Sequence, residues 1–413
     1  MATTFKFGNG NWAVKEDYAL AYNDENGNFK PLPFDFTRAS SATRVNKQGL
    51  IETVPSGKPR IDFLNNTKGH FLLEPSRTNL STNSEAFDSW TNGGTYVTAN
   101  QTVSPDGNTT ADQLSKTAAF QQIQNTATVV SGSDYSFSVF VKENTLDRIT
   151  LRLASGSNDV RKCLDLSDLS VVDAGGNQTG FVETKVEEYP NGWYKYTVVA
   201  TTGGTSLFMN IYAGQANVVE SGNIYIWGAQ LEAGSHETSY IPTSGSAVTR
   251  SAETANGAGN STVFNDSEGV LFLETSMLSS NPNNSTFQID DGTSTNRVRI
   301  RFTTTTNQIN GLLYSGVAGQ PNIDYTANDV TNPNKVAIRY QVGQIDLFFN
   351  GFEVGTITGN ATPTGFNNLS LGTEGNVKQL MVFNEALTDS ELEQITSWTS
   401  FSEMAKGQLY TIE

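Results

Sequence analysis

Few side chains in this 413-residue sequence could do chemistry, and their scarcity narrows the choices. There is one cysteine, Cys163, and there are two histidines, His70 and His236. A lone cysteine forms no intramolecular disulfide and no multi-thiolate zinc site, and two histidines leave little for an imidazole-based metal centre. Cys163 stands in RKCLDL, where alternation with Leu164 and Leu166 assigns it to strand packing rather than to nucleophilic attack. His70 (in NTKGHFLL) and His236 (in GSHETSY) sit in turn-like contexts and read as surface residues. A Ser-His-Asp triad would have to use one of them, and the sequence has no Gly-x-Ser-x-Gly elbow. Carboxylates number 42, so some pair at hydrolase spacing always exists and the count decides nothing. No catalytic residue is assigned. The aromatic candidates are Trp90, Trp193 and Tyr194, whose flat rings could stack on the apolar faces of sugars. Each tryptophan has a competing role in a strand core, and for Trp193 that role is favoured.

Charge excludes further classes. Lys+Arg 26 against Asp+Glu 42 leaves a net charge of −16, which argues against nucleic acid or an anionic membrane as partner. No apolar run approaches the ~20 residues needed to span a bilayer. The opening MATTFKFGNGNW has no apolar stretch of signal-peptide type, so export by that route is not expected. The Asn-x-Ser/Thr triplets at Asn65, Asn79 and Asn260 then read as loop chemistry rather than glycan acceptors.

The elements that must position these residues are strands. SDYSFSVFVKEN places Tyr135, Phe137, Val139 and Val141 on one face, and WYKYTVVATT, NIYIWGAQLE, VRIRFTTTT, NKVAIRY and DLFFNGFEVGTI alternate in the same way. Period-two patterning with β-branched and aromatic residues is the signature of half-buried strands. Asn350-Gly351 predicts a type I′ hairpin, since both central positions need positive φ. Asp291-Gly292 and Asn26-Gly27 predict further turns. One helix is predicted in LTDSELEQITSW, with Thr388 as N-cap, Glu391 closing a capping box, and Leu392 and Ile395 as its apolar stripe. The fold expected is mostly β: two β-sandwich or jelly-roll domains after an irregular N-terminal region, with one short C-terminal helix. Turn-rich stretches set the boundaries at 1–78, 79–243, a linker at 244–262, and 263–413.

Three segments resemble known families. FTRASSATRVNKQGLIE, followed by PRIDF and LLEPSRTNL, resembles the leader of tailed-phage virion proteins ahead of carbohydrate-binding modules. NGWYKYTVVAT (Asn191–Thr201) and IYIWGAQLEAGSHETSYIPT (Ile224–Thr243) resemble the late strands of a carbohydrate-binding-module-like jelly roll. VKQLMVFNEALTDSELEQI (Val377–Ile395), with its Phe383-Asn384 pair, resembles the end of a laminin-G or concanavalin-A-like sandwich, and DLFFNGFEVGT matches that family's hairpin. Neither the Glu-x-Asp-x-x-Glu strand of laminarinases nor the strand set of sandwich-fold polysaccharide lyases is present.

The resemblance implies a phage virion surface protein, made in the host cytoplasm: a tail or head fibre or appendage component whose lectin-like domains recognise host-surface glycan or dock subunits. A tailspike-like depolymerase and a purely structural decoration protein are the alternatives. Its expected partners are other virion proteins and a bacterial surface glycan. No cofactor is implied beyond a structural calcium, for which Asp88 is the candidate acid; Trp227 stands where related modules carry a second. Arg38, Arg44, Arg60 and Arg77 either bind a virion socket or pin irregular backbone through acids such as Asp35, Asp62 and Glu74, and pinning is favoured. A homo-oligomer, a trimer by the resemblance, is expected through the leader. There Phe29, the stretch Leu32 to Phe36, Phe63, Phe71 and Leu72 need cover, each worth about 1.5–3 kcal/mol when buried.

Overall fold

A computed structural model describes residues 3–10, 12–15, 19–23, 29–316, 321–398, 400, 402 and 404. The chain is mostly β and divides into two units. One comprises residues 1–39, 54–75 and 251–413; the other comprises 40–53 and 76–250. The expected turn at Asn26-Gly27 lies outside the described residues.

The unit of residues 40–53 and 76–250 is a sandwich of two antiparallel sheets. The larger sheet runs, edge to edge, through Val97–Thr102, Ala111–Lys116, Gly222–Ala233, Asp134–Lys142, Trp193–Thr201 and Phe181–Tyr189. The smaller runs through Ile123–Thr128, Ser206–Ala213, Arg148–Ser155, Asn158–Asp165 and Val171–Gly176. Tyr135, Phe137, Val139 and Val141 point inward as their spacing predicts, and they meet Leu151, Leu153, Met209 and Ile211 of the facing sheet. The opposite face of Asp134–Lys142 is buried as well. There Phe140 packs on Trp227 and Tyr240 at ring-centroid distances of 5.4 and 6.0 Å. The GAQLE…TSYIPT sequence makes this cover. Gln230 Oε1 accepts from the Ile241 amide at 2.6 Å, and Glu232 accepts from the Thr238 amide at 2.8 Å. The return segment is thereby stapled onto its own sheet, so these polar residues are structural.

The other unit is also a two-sheet sandwich. Its larger sheet runs through Phe352–Thr358, Gln344–Phe349, Asn334–Gln341, Gly269–Ser276, Gly375–Phe383, His70–Leu73 and Arg60–Asp62, and Phe5–Gly8 also pairs with Gly375–Phe383. Its smaller sheet runs through Ile323–Thr326, Gln308–Ser315, Asn296–Phe302, Ser285–Asp290 and Asn368–Ser370. Asn350 and Gly351 hold φ of 48° and 92° and join Phe349 to Phe352, the type I′ geometry that their residue types require. The helix Asp389–Thr396 carries the full capping box of Thr388 and Glu391, and Leu392 seats it against Val270, Phe272 and Phe348.

The leader supplies strands to this unit rather than standing apart from it. Phe7, Ile61, Phe71 and Leu73 are buried in one core with Leu271, Leu380 and Val382, while Leu32, Phe36 and Phe63 pack against its edge. Leu72 is buried too; the Phe29 side chain lies outside the described residues. Among the described residues, these apolar groups of the leader are buried or half-buried within the chain itself. The polar stretch 244–262 is itself paired: Val248–Arg250 with Arg77–Asn79, and Thr254–Asn256 with Asp35–Thr37.

The arginines of the leader are pins. Arg38 donates to Glu253 Oε1 at 2.7 Å and to the Pro55 carbonyl at 2.6 Å. Arg60 donates to both Glu253 oxygens and to Glu74. Arg44 pairs with Glu52 at 2.6 Å, and Arg77 lies 3.3 Å from His236. Glu74, one of the acids expected to hold these arginines, binds Arg60, and the central carboxylate is Glu253.

Candidate functional site

The aromatic candidates are placed in or beside the core. Trp193 is 1% exposed, and its indole donates to the Val103 carbonyl at 3.1 Å. Trp90 is 5% exposed, packs on Phe87 and donates to the Asn83 carbonyl. Neither ring offers a face to a sugar, which corrects their assignment as stacking platforms. Tyr194 is half-buried at the edge of the same core.

The calcium reading does not fit the residues present. Asp88 is exposed, and Trp227, buried against Tyr240, gives its N–H to Thr110. The neighbouring acid, Asp112, already receives the backbone amides of Phe87 and Asn100, at 3.3 and 2.9 Å. Those are partners of an anion, not of a cation wanting six to eight oxygens. Burial, with Asp88 and Glu85 adding repulsion against its hydrogen bonds, pushes the Asp112 carboxyl up to about 6. Among the described residues no cluster of three or more His, Cys, Asp or Glu side chains could hold a metal.

Other chemically able groups are also committed to structure. Cys163 is buried, and burial pushes its thiol up, away from the reactive thiolate. His70 is not a surface residue: it begins the strand His70–Leu73 just after the Gly69 turn (φ 71°), is buried, and has its pKa lowered by that burial. His236 is half-buried beside Arg77.

A different region gathers unspent polar groups: the outer face of the smaller sheet in the unit that includes residues 251–413. In NRVRIRF, strand alternation sends Val298, Ile300 and Phe302 into the core and leaves Arg297, Arg299 and Arg301 outside. Register sets the neighbours across the face. Arg297 stands between Asp290 and Tyr314, with Asn368 beyond Asp290. Arg299 stands between Gln288 and Leu312, with Ser370 beyond Gln288. Arg301 stands between Thr286 and Asn310, with Asp324 beyond Asn310.

The carboxylates of this face are satisfied by neutral donors. Asp290 accepts from Gln288 Nε2 at 2.6 Å, from the Gly292 amide at 2.8 Å and from Asn368 Nδ2 at 2.7 Å. Asp324 accepts from Asn310 Nδ2 at 2.6 Å. In the adjoining loop, burial opposes ionisation of Asp291, but hydrogen bonds from Thr293 and Asn296 outweigh it and hold the carboxyl at about 2. Among the described residues no carboxylate forms an ion pair with Arg297, Arg299 or Arg301, and the Nε of each has no hydrogen-bond partner. Arg299 is 9% exposed. Burial first, then repulsion from Arg301 and Arg297, pulls its pKa down to about 10, so it remains a cation at neutral pH. Arg297 also lies over the Tyr314 ring, 5.6 Å from its centroid.

At the Asp290 end the face opens into a depression of about 440 Å³ whose walls are polar, with Asn256, Gln288, Asp290, Arg297, Asn368 and Ser370 among them. Such a surface can match several hydroxyls and an anion at once. Asp291, held at about 2, is poorly set to supply the proton that glycoside cleavage needs.

Comparisons with known proteins add little. No protein-family model and no curated protein matches the chain. Among solved structures, the chain is similar to the CBM40 module of a Ruminococcus gnavus IT-sialidase, in a structure bound to α2,3-sialyllactose. That match has 19% identity, covers 35% of this chain and 94% of that one, and has a TM-score of 0.29. It is also similar to a native heptameric SAP-like pentraxin from Limulus polyphemus, with 11% identity, 32% and 71% coverage and a TM-score of 0.27. A third is domain 4 of AbnA, an extracellular arabinanase of Geobacillus stearothermophilus, in complex with arabinotriose, with 12% identity, 35% and 73% coverage and a TM-score of 0.29. Likenesses this slight carry no argument about what the chain binds.

Proposed function

We propose that this chain is a non-catalytic glycan-recognition protein, acting at a virion surface as a fibre or appendage component of a tailed phage. The observation that carries glycan recognition is the open polar depression on the outer face of a β-sandwich. Gln288, Asp290, Arg297, Asn368 and Ser370 stand on strands, so these groups are held in place before a ligand arrives, while Gly292, Thr293 and Ser294 add a loop at its rim. The virion setting is supported by the leader sequence and the GAQLE…TSYIPT closure, which resemble phage virion proteins. The host-made protein would then meet other virion proteins on one side and bacterial surface glycan on the other.

The test is a glycan array probed with the full chain, alongside a reducing-sugar assay on the glycans that bind. Binding without sugar release is the expected outcome. Binding with release would replace this reading by a depolymerase, and the absence of binding to any glycan would leave a structural decoration protein. Labelling intact particles with an antibody against the chain tests the virion setting.

A further inference from the structure

The three arginines of NRVRIRF pose a question that glycan recognition in general does not answer. This chain has an excess of acids, 42 against 26 bases, and it spends them on its arginines elsewhere. Arg148 pairs with Asp165, Arg152 and Arg161 with Asp159, and Arg339 with Asp346 and Asp389. On the strand Asn296–Phe302 three guanidinium groups share one face with no such partner among the described residues, although Asp290 stands directly opposite Arg297. The Asp290 oxygens are turned to Gln288, Gly292 and Asn368 instead. Arg299, the middle member, is nine-tenths buried, leaves its Nε unpartnered, and makes one long hydrogen bond, of 3.4 Å, to Asn310. Burying a cation beside two others and withholding its counter-ions is unfavourable, and an anionic ligand would supply what the fold leaves out.

Resting on the glycan-recognition reading above, we propose that this face binds an acidic saccharide, its anionic groups meeting Arg297, Arg299 and Arg301 while its hydroxyls meet Gln288, Asn368 and Ser370. Same-face residues two apart on a strand are separated by about 6.8 Å, so the three arginines run for about 14 Å. That row suits a segment of polymer with repeated charges better than a single small anion. Guanidinium groups engage carboxylates and sulfates through paired N–H donors, and uronic-acid polymers present carboxylates at regular intervals along a hydroxyl-bearing chain.

The experiment is calorimetric titration of the full chain with polygalacturonate fragments and with the same fragments methyl-esterified, which keeps the backbone and removes the charge. The free acid is expected to bind about tenfold or more tightly than the ester. The same loss is expected for Arg299→Gln, a smaller one for Arg299→Lys, and weakening with added salt. Sulfated dextran is the second arm: binding that Arg299→Gln abolishes supports the row with sulfate as the anion. Equal affinity for acid and ester overturns the proposal, as does full affinity in Arg299→Gln, or no binding to either polyanion. Polyglutamate binding as tightly as polygalacturonate also overturns it, by showing a simple ion exchanger. Should Arg299→Gln fail to fold, the acid and ester comparison on the unaltered chain still decides. Neutral-glycan binding that ignores Arg299→Gln would sink this inference and leave the function standing; no binding to any glycan on the array would sink that function.

Discussion

Two groups of arginines in the same unit receive opposite treatment. Arg38 and Arg60 are sealed from solvent with Glu253 and Glu74, and nearly every donor points at a carboxylate or a backbone carbonyl. Burial pulls against the charge on Arg60, yet Glu253 and Glu74 hold it above its ordinary range. Arg297, Arg299 and Arg301 have no carboxylate partner among the described residues, and Arg299 is pulled the other way. The first group ties the ends of Arg60–Asp62 and neighbouring segments to Glu253, far away in sequence; its arginines are consumed by folding. The second sits on a regular strand whose apolar face already anchors it, so its arginines are not needed for folding. Arginine alone is uninformative about role; the location of its counter-charge is what separates the two.

The comparison breaks most visibly at Glu253. Replacing it by Gln leaves Arg38 and Arg60 buried without their shared carboxylate, with Glu74 still bonded to Arg60. Removing one partner of a buried ion pair costs about 3–5 kcal/mol. In urea, the transition of the unit containing Arg60 is expected to move to lower concentration by that amount, read by circular dichroism. A loss under about 1 kcal/mol would mean that the cluster is ornamental and the leader is held by its phenylalanines alone.

Sequence reasoning reached this structure unevenly, and each gap has a physical cause. Strands, the Asn350-Gly351 hairpin and the Thr388 capping box follow from local rules, which hold because each depends on residues within a few positions of one another. Glu253 lies 193 residues from Arg60, so no local pattern could reveal it as the central carboxylate. His70 follows the turn NTKG and shares its polar look, but Gly69 ends the turn and the strand starts at the histidine itself. Trp193 and Trp90 are large, flat aromatics whose type is equally suited to a sugar platform and to a sandwich core; only burial separates those roles. For the arginine row the signal was present: three like charges at i, i+2 and i+4 in NRVRIRF must share a face of any strand. Register alone brings Gln288 and Leu312, rather than acids, beside Arg299.

The second prediction sharpens the contrast by reversing its sign. Arg299→Gln removes a desolvated cation from between two others, so the folded chain should gain stability, by about 1 kcal/mol, rather than lose it. For the same reason the unaltered chain should gain more from added salt than the variant does, since salt screens the repulsion that the variant lacks. Urea midpoints at low and high ionic strength check both statements. A destabilised variant would assign Arg299 to the fold and remove the distinction between the two groups.

The smallest effect concerns a third arrangement, between the other two. Arg44 and Glu52 form an ion pair at 2.6 Å, but the side chain of Glu52 is 32% exposed and that of Arg44 is 11% exposed. Water already solvates part of both charges, so their attraction is weakened and each side chain gives up conformational freedom to make it. Glu52 also accepts from Asn46 Nδ2 at 2.9 Å, a bond that a glutamine oxygen in the same place can keep. Glu52→Gln is therefore expected to cost no more than about 0.5 kcal/mol, several-fold less than Glu253→Gln, although both substitutions delete a carboxylate bonded to arginine. Paired urea titrations of the two variants read the ratio directly. If the two costs came out equal, burial would not be what gives the Glu253 cluster its weight, and the absence of carboxylate partners around Arg299 would lose its meaning as well.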